Sequence, residues 1–170
     1  MPSPYRKHED MGKVVHLDEL LKIRDKLRRE KKRVVFTNGV FDILHRGHVE
    51  YLTKARSAGD VLVVGLNSDA SVRRIKGENR PIVSQDDRAF ILSNLLPVDY
   101  VCVFDEDTPY HVITALVPDV LVKGADWSIN EIVGKDVVEK AGGRVATIEF
   151  VPDRSTTSII DRILDRFSSR

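Results

Sequence analysis

The sequence of 170 residues predicts an α/β fold in which a parallel sheet of five strands carries helices on both faces. Two observations indicate it. Short β-branched runs and segments of helical spacing alternate at least five times along the chain. The apolar runs also lack polar alternation, which is typical of strands buried on both faces. Ligands of such sheets bind at the carboxyl ends of the strands, so we expect the site in the loops that follow them.

The predicted elements follow in a regular order. Residues 1–13 are expected to form a flexible tail, because they have little apolar content, and residues 14–170 a single folding unit. An amphipathic helix is predicted over residues 17–31, with Leu20 on its apolar face and Arg24 among the solvated charges. Ser84 and Asp107 are candidate helix N-caps, and Gly142 follows a helix end. The strands are predicted at 34–37, 61–66, 100–104, 120–122 and 145–148, and the later helices at 48–58, 85–96, 108–117, 130–141 and 156–167.

Composition excludes several classes of partner. Lys and Arg total 27 against 26 Asp and Glu, so the formal net charge of +1 forces no basic face for nucleic acid. The apolar runs are far shorter than the roughly 20 residues of a membrane-spanning helix. The polar start resembles no secretion signal, and the single cysteine, Cys102, has no partner for an internal disulfide. These features predict a cytoplasmic protein that binds neither nucleic acid nor membrane.

The segment TNGVFDILHRGHVEYL at residues 37–52 is the densest polar cluster after any predicted strand. Gly39 lets a ligand approach the backbone closely, and Gly47 opens the next helix. Unpaired amides and the dipole at a helix start attract an anion such as a nucleotide phosphate. His45 and His48, three residues apart at this start, can point into the same space.

Three interpretations of this histidine pair compete. In the first, one histidine is a helix cap and the other packs in the core. In the second, His45, His48 and Asp42 bind a metal ion such as zinc. In the third, both histidines donate hydrogen bonds to a phosphoryl group whose charge grows in the transition state. The third uses the whole loop and is favoured.

Two motifs carry a resemblance to a known family. The pattern GxFDxxHxGH is met by Gly39, Phe41, Asp42, His45, Gly47 and His48, and the segment STTSII at residues 155–160 opens the last helix. Both resemble the HxGH nucleotidyltransferases, the cytidylyltransferase-like family, which implies a Rossmann-like fold. The segments 66–81, 86–95 and 118–127 look most like the family's D-glycero-β-D-manno-heptose 1-phosphate adenylyltransferases.

The resemblance implies an AMP transfer from ATP to heptose 1-phosphate, giving ADP-heptose and pyrophosphate for lipopolysaccharide core synthesis. Mg²⁺ is expected to bind through the triphosphate, with no metal ligand assigned to the protein. A separate sugar kinase is expected to supply the acceptor, and a homodimer is expected by analogy. Two alternatives stay open: a glycerol-3-phosphate or ethanolamine-phosphate cytidylyltransferase that uses CTP, and a non-catalytic nucleotide-binding module.

The resemblance also assigns roles to residues. His45, His48, Lys76 and Arg88 are expected to be catalytic, the last two because departing pyrophosphate needs positive charge. Asp42, Asp69 and Arg80 are expected to bind the acceptor, although Asp69 is equally explained as a helix N-cap. Arg73 and Arg74 are expected to be merely solvated. The residues expected to bind the nucleotide are Thr37, Asn38, Gly39, Phe41, Gly47, Lys123, Gly124, Asp126, Trp127, Ser155, Thr156 and Thr157.

Overall fold

A computed structural model describes residues 12–125, 131–149 and 155–168. Helices and strands alternate along most of this chain, as the sequence predicts. The elements are β1 (Lys13–Val14), α1 (Leu17–Arg29), β2 (Val34–Gly39), α2 (Arg46–Arg56), β3 (Val61–Asn67), α3 (Asp69–Lys76), α4 (Gln85–Ser93), β4 (Tyr100–Phe104), α5 (Tyr110–Leu116), β5 (Val120–Gly124), α6 (Lys135–Lys140), β6 (Arg144–Ile148) and α7 (Thr156–Phe167).

The described strands form one parallel sheet in the order β1-β4-β3-β2-β5-β6. The predicted count of five strands is therefore wrong, because the described residues contribute six. The additional strand is β1, in which Lys13 and Val14 pair with Tyr100 and Val101 at the sheet edge. A strand of two residues is too short to show any periodicity, so only its pairing partner reveals it.

The core lies on both faces of the sheet, because successive strand side chains point to opposite sides. On one face Val35 and Leu62 pack with Leu52 of α2 and Leu92 of α4. The other face packs against α1, α5 and α6, with Phe36 at its centre. Helices on both faces, as predicted, are thus confirmed, and the carboxyl ends of the strands remain open for a ligand.

Two local predictions are wrong. Arg24 is buried rather than solvated, and its guanidinium donates to the carbonyls of Leu116 and Val117 and to the Asp119 carboxylate, 2.9 Å away. The reason is that α1 packs on α5, which puts this side of α1 against the end of that helix. Asp107 is not an N-cap, since α5 begins at Tyr110 with Pro109 in the cap position.

Two further local predictions are confirmed. The Ser84 side chain accepts from the amide of Asp87 at the start of α4. Gly142 follows the end of α6 with a φ of 84°, a backbone conformation that favours glycine. Among the described helices, none combines the length and the apolar character needed to span a membrane.

Candidate active site

The candidate site is a cavity of about 490 Å³ at the carboxyl ends of β2, β3 and β5. In the sheet, β3 lies on one side of β2 and β5 lies on the other side. The order in which the chain adds strands therefore reverses direction at β2. Ligands of open parallel sheets bind at such a point. The polar residues that line the cavity are Asn38, Asp42, His48, Tyr51, Asn67, Lys76, Arg80, Asp107, Thr108, Lys123 and Thr156.

The loop after β2 brings the motif residues to the cavity. Phe41 has a φ of 47° and is buried, and its ring meets the His48 ring edge-on, with centroids 5.3 Å apart. A Cβ atom at Gly39 would lie 3.0 Å from the Phe41 ring. Glycine at this position therefore lets the loop fold tightly over the start of α2.

The two histidines form a stacked pair at the start of α2. Their ring centroids are 3.8 Å apart with an interplanar angle of 23°. His45 occupies the N-cap position of α2, as the first interpretation expects of one of the two histidines, without a side-chain capping hydrogen bond. His48 lines the cavity, whereas His45 does not lie on the described part of its wall.

Burial, with a smaller effect of the neighbouring His45, lowers the pKa of His48 from 6.5 to about 4. His48 is therefore a neutral imidazole at pH 7, with one N–H donor and one acceptor nitrogen. Its Nδ1 is buried and meets no hydrogen-bond partner in the described part of the chain. Such an atom at a cavity wall suits a polar ligand.

The Asp42 carboxylate is directed toward the loop between α3 and α4. It is buried and accepts from Arg80 Nε at 2.6 Å and from the amides of Ile82 and Val83 at 2.9 and 2.8 Å. Burial raises the pKa of Asp42, but the hydrogen bonds from Val83, Ile82 and Arg80 lower the pKa more, so it lies below its ordinary value. Within residues 12–125, 131–149 and 155–168, no three His, Cys, Asp or Glu side chains are grouped to hold a metal ion.

Arg88 lies beneath the loops rather than at the described cavity wall. Its buried guanidinium donates to the carbonyls of Val83, Val40 and Asn67 at 3.0, 2.6 and 2.9 Å. It also pairs with Asp69 Oδ1 at 2.7 Å. Asp69 is the first residue of α3 and Ser68 is its N-cap, so the interpretation of Asp69 as an N-cap is wrong.

The side of the cavity formed by β5 and α7 presents further polar groups. The Lys123 amine contacts the side-chain oxygen of Asn38, and the Thr156 hydroxyl donates to the carbonyl of Ile43 at 3.1 Å. Ser155 caps α7 in a reciprocal pair with Ser158. The predicted nucleotide contacts Asp126 and Trp127 lie outside the described residues.

The structure brings many predicted site residues together around one cavity and leaves others behind it. Thr37 is buried, and its hydroxyl lies 2.8 Å from that of Tyr51, which donates to the carbonyl of Val122. The predicted residues at the cavity are Asn38, Gly39, Phe41, Asp42, His48, Lys76, Arg80, Lys123, Gly124 and Thr156. Those off its described wall are Thr37, His45, Gly47, Asp69, Arg88, Ser155 and Thr157.

Sequence reasoning missed Tyr51, Asn67, Asp107 and Thr108, which also line the cavity. One signal was available for Asn67, because it ends β3 and so lies at the ligand-binding edge of the sheet. Asp107 and Thr108 follow β4 by a few residues, in the same position relative to that strand.

Comparisons with known proteins agree with this geometry. A family model described as cytidylyltransferase-like matches residues 36–162. Relatives named "Bifunctional protein HldE" are 57% identical over 159 residues in Geobacter sulfurreducens and 60% identical over 153 residues in Campylobacter concisus. These alignments cover 94% and 90% of this chain but 32% and 31% of the relatives. The chain thus spans about a third of the length of these curated relatives.

Two solved structures share the fold. The lipopolysaccharide core biosynthesis protein from Thermoplasma volcanium is 31% identical, with a TM-score of 0.58, and the match covers 71% of this chain and 97% of that one. Pantoate-beta-alanine ligase from Francisella tularensis is 13% identical, with a TM-score of 0.60 and coverage of 94% and 80%, a likeness of fold alone. Since the family model spans most of the sequence, including the histidine motif and the start of α7, the chain belongs to the cytidylyltransferase-like family of nucleotidyltransferases.

Proposed function

We propose that the protein transfers AMP from ATP to D-glycero-β-D-manno-heptose 1-phosphate and forms ADP-heptose and pyrophosphate for lipopolysaccharide core synthesis. The observation that carries the proposal is the neutral His48 beside a helix start, facing a cavity that also holds lysine and arginine side chains. The names of the HldE relatives and of the Thermoplasma protein support the same pathway.

In this reaction an oxygen of the acceptor phosphate attacks the α-phosphorus of ATP. The new P–O bond forms as the bond to the bridging oxygen of the β-phosphate breaks, and pyrophosphate leaves with that electron pair. The attacking oxygen is already anionic, so the protein needs no general base. Its tasks are to align the two phosphates and to stabilise the added negative charge.

His48 is suited to the second task. A neutral imidazole held in a dry, packed position donates its N–H to a phosphoryl oxygen without reorganisation when charge develops there. The stacked ring of His45 and the edge contact of Phe41 restrict the orientation of His48. We therefore assign His48 to the α-phosphate, with His45 acting beside it at the start of α2.

Cationic side chains suit the remaining phosphates. Lys76 at the end of α3 and Lys123 at the end of β5 both line the cavity, and a lysine ammonium compensates phosphate charge without demanding a fixed geometry. Lys123, Gly124 and Thr156 would contact the nucleotide, together with Asp126 and Trp127. Arg80, oriented by Asp42, would contact the acceptor phosphate.

Mg²⁺ fits this cavity as part of the nucleotide rather than as a resident metal. The carboxylates at the described wall are Asp42 and Asp107, and each already accepts from an arginine. When bound, Mg²⁺ would supply charge neutralisation on the triphosphate oxygens. The chain's own residues would hold the phosphates through Lys76, Lys123 and the amides at the start of α2.

Arg88 is proposed to act through the loops that it ties together. Its bond to the Val40 carbonyl holds the motif loop, and its pair with Asp69 holds the start of α3. We further propose that a sugar kinase supplies the heptose 1-phosphate, that the enzyme is a homodimer, and that it works in the cytoplasm, where ATP is made.

The proposal is tested by incubating the protein with ATP, Mg²⁺ and heptose 1-phosphate and following ADP-heptose by mass spectrometry. The His48→Ala variant serves as the control and is expected to lose about a hundredfold to a thousandfold in turnover, as loss of one transition-state donor does. A requirement for CTP instead of ATP would overturn the heptose assignment. ATP binding without pyrophosphate release for any acceptor would indicate a binding module.

A further inference from the structure

The cavity has two walls on opposite sides of β2. Lys123, Gly124 and Thr156 lie on the β5 side, whereas Asp107 and Thr108 lie on the β4 side. In the sheet order, β4 and β5 are three strand spacings apart, which is roughly 14 Å. The two walls therefore face different parts of the bound nucleotide and acceptor. With the nucleotide on the β5 side, as the proposed function has it, the β4 wall faces the acceptor.

The loop after β4 is held in place by one side of α3. Ser68 contacts the Asp105 carboxylate, Ser71 donates to the Glu106 carbonyl at 2.9 Å, and Arg74 Nε donates to Asp107 Oδ1 at 2.7 Å. These three residues are spaced three apart, so they share one side of the helix. Arg74 is exposed, as expected, and its guanidinium also pairs with the carboxylate that lines the cavity.

The chemistry of Asp107 favours one part of an acceptor over another. A carboxylate accepts hydrogen bonds and carries negative charge, so it attracts hydroxyl groups and repels phosphates. Elsewhere on the cavity wall, Arg80 offers the opposite preference. A sugar phosphate presents both kinds of group, and it would bind with its phosphate toward Arg80 and its hydroxyls toward the β4 wall.

We propose that Asp107, oriented by Arg74 and aided by the Thr108 hydroxyl, binds the hydroxyl groups of the acceptor sugar and makes the enzyme selective for polyhydroxylated phosphate esters. The inference rests on the proposed function for the identity of the reaction. The inference adds the residues that bind the hydroxyl groups of the sugar. A site built around a hydroxyl discriminates strongly against analogues that lack it, because its own polar groups are then left unpaired.

The test is steady-state kinetics on Asp107→Asn with ATP and heptose 1-phosphate varied in turn. We expect the KM for the acceptor to rise about ten- to a hundredfold, as loss of a charged hydrogen bond does, and the KM for ATP and the kcat to stay within about threefold. Glu106→Gln is the matched control, because this neighbouring carboxylate lies off the described wall of the first cavity, whereas Asp107 lines both that cavity and a second one. It should leave both KM values unchanged.

Arg74→Gln tests the positioning role. It should raise the acceptor KM less than Asp107→Asn does, and the double variant should be no worse than Asp107→Asn alone, because Arg74 acts only through that carboxylate. An unchanged acceptor KM in Asp107→Asn, or equal rises in the KM for ATP and for the acceptor, would overturn the inference.

Calorimetric titration separates this inference from the proposed function. Heptose 1-phosphate and inorganic phosphate are each titrated into the wild type and into Asp107→Asn. Tighter binding of the sugar phosphate to the wild type, reduced to the level of inorganic phosphate in the variant, supports the subsite even if no ADP-heptose forms. Equal affinity of the wild type for the two ligands overturns the subsite even if the enzyme is active.

Discussion

Replacing Arg88 by leucine is expected to destabilise the protein strongly. The guanidinium is buried and has four acceptors, the carbonyls of Val40, Asn67 and Val83 and the carboxylate of Asp69. Removing one partner of a buried ion pair costs about 3–5 kcal/mol. The Asp69 side chain is 26% exposed, so water relieves part of this cost and the lower value applies. At about 2–4 °C per kcal/mol for a domain of this size, the Tm falls by about 6–12 °C.

The assay is differential scanning calorimetry on the wild type, Arg88→Leu, Arg88→Lys and Arg73→Leu. Lysine keeps the charge but has one nitrogen in place of a planar fork, so its Tm should lie between those of the wild type and Arg88→Leu. Arg73 is exposed on α3 and serves as the control, with a Tm close to that of the wild type.

Turnover measured on the same variants separates positioning from direct contact with substrate. If Arg88 positions the loops, activity and Tm fall together. An Arg88→Leu enzyme with a Tm within about 2 °C of the wild type and a loss of turnover above about a hundredfold would refute the reasoning. It would show instead that the guanidinium reaches a substrate phosphate.

Three further predictions concern the cavity. Because burial lowers the pKa of His48 to about 4, its ring should stay neutral in an NMR titration from pH 8 to pH 5 and become protonated below that. A titration midpoint near 6.5, the ordinary value for histidine, would contradict the burial of the His48 ring. Asp42→Asn should be less stable than the wild type in urea at pH 7, and the difference in the free energy of unfolding should shrink at pH 3. A carboxylate with a lowered pKa stabilises the fold above its unfolded pKa and loses this contribution as the pH falls through its folded pKa. Equal differences at both pH values would be inconsistent with the Arg80 pair. Lys76→Met should lower kcat/KM for ATP about ten- to a hundredfold through loss of a charged contact with phosphate. Arg73→Met is the control, and equal effects of the two substitutions would rule out the assigned role of Lys76.

Local patterning was sufficient to predict most of the strands. The run at 34–37 appears as Val34–Gly39, the run at 61–66 as Val61–Asn67, and the run at 100–104 as Tyr100–Phe104. Each is a continuous apolar segment between turn residues, and this pattern can be recognised without knowing which strands lie beside it. The edge strand β1 was missed because two residues become a strand only by pairing with β4.

Some features of the site could also be predicted from the sequence, and others could not. Spacing in the sequence was enough to put His45 and His48 on one helix start, and strand ends were enough to bring Asn38 and Lys123 to one edge of the sheet. The stacking of the two rings and the neutral state of His48 depend instead on how α2 is buried against the sheet.

The arginines show most clearly what only the tertiary structure decided. From the sequence, Arg24 and Arg74 were expected to be solvated and Arg88 to be catalytic, and none of the three had a predicted partner within the chain. In the folded chain, Arg24 joins α1 to the end of α5, Arg74 orients Asp107, and Arg88 ties together three loops. The periodicity of a helix is encoded within a few neighbouring residues. The partner of a charge is not, because it comes from a distant part of the chain and is known only once the sheet order has brought the two together.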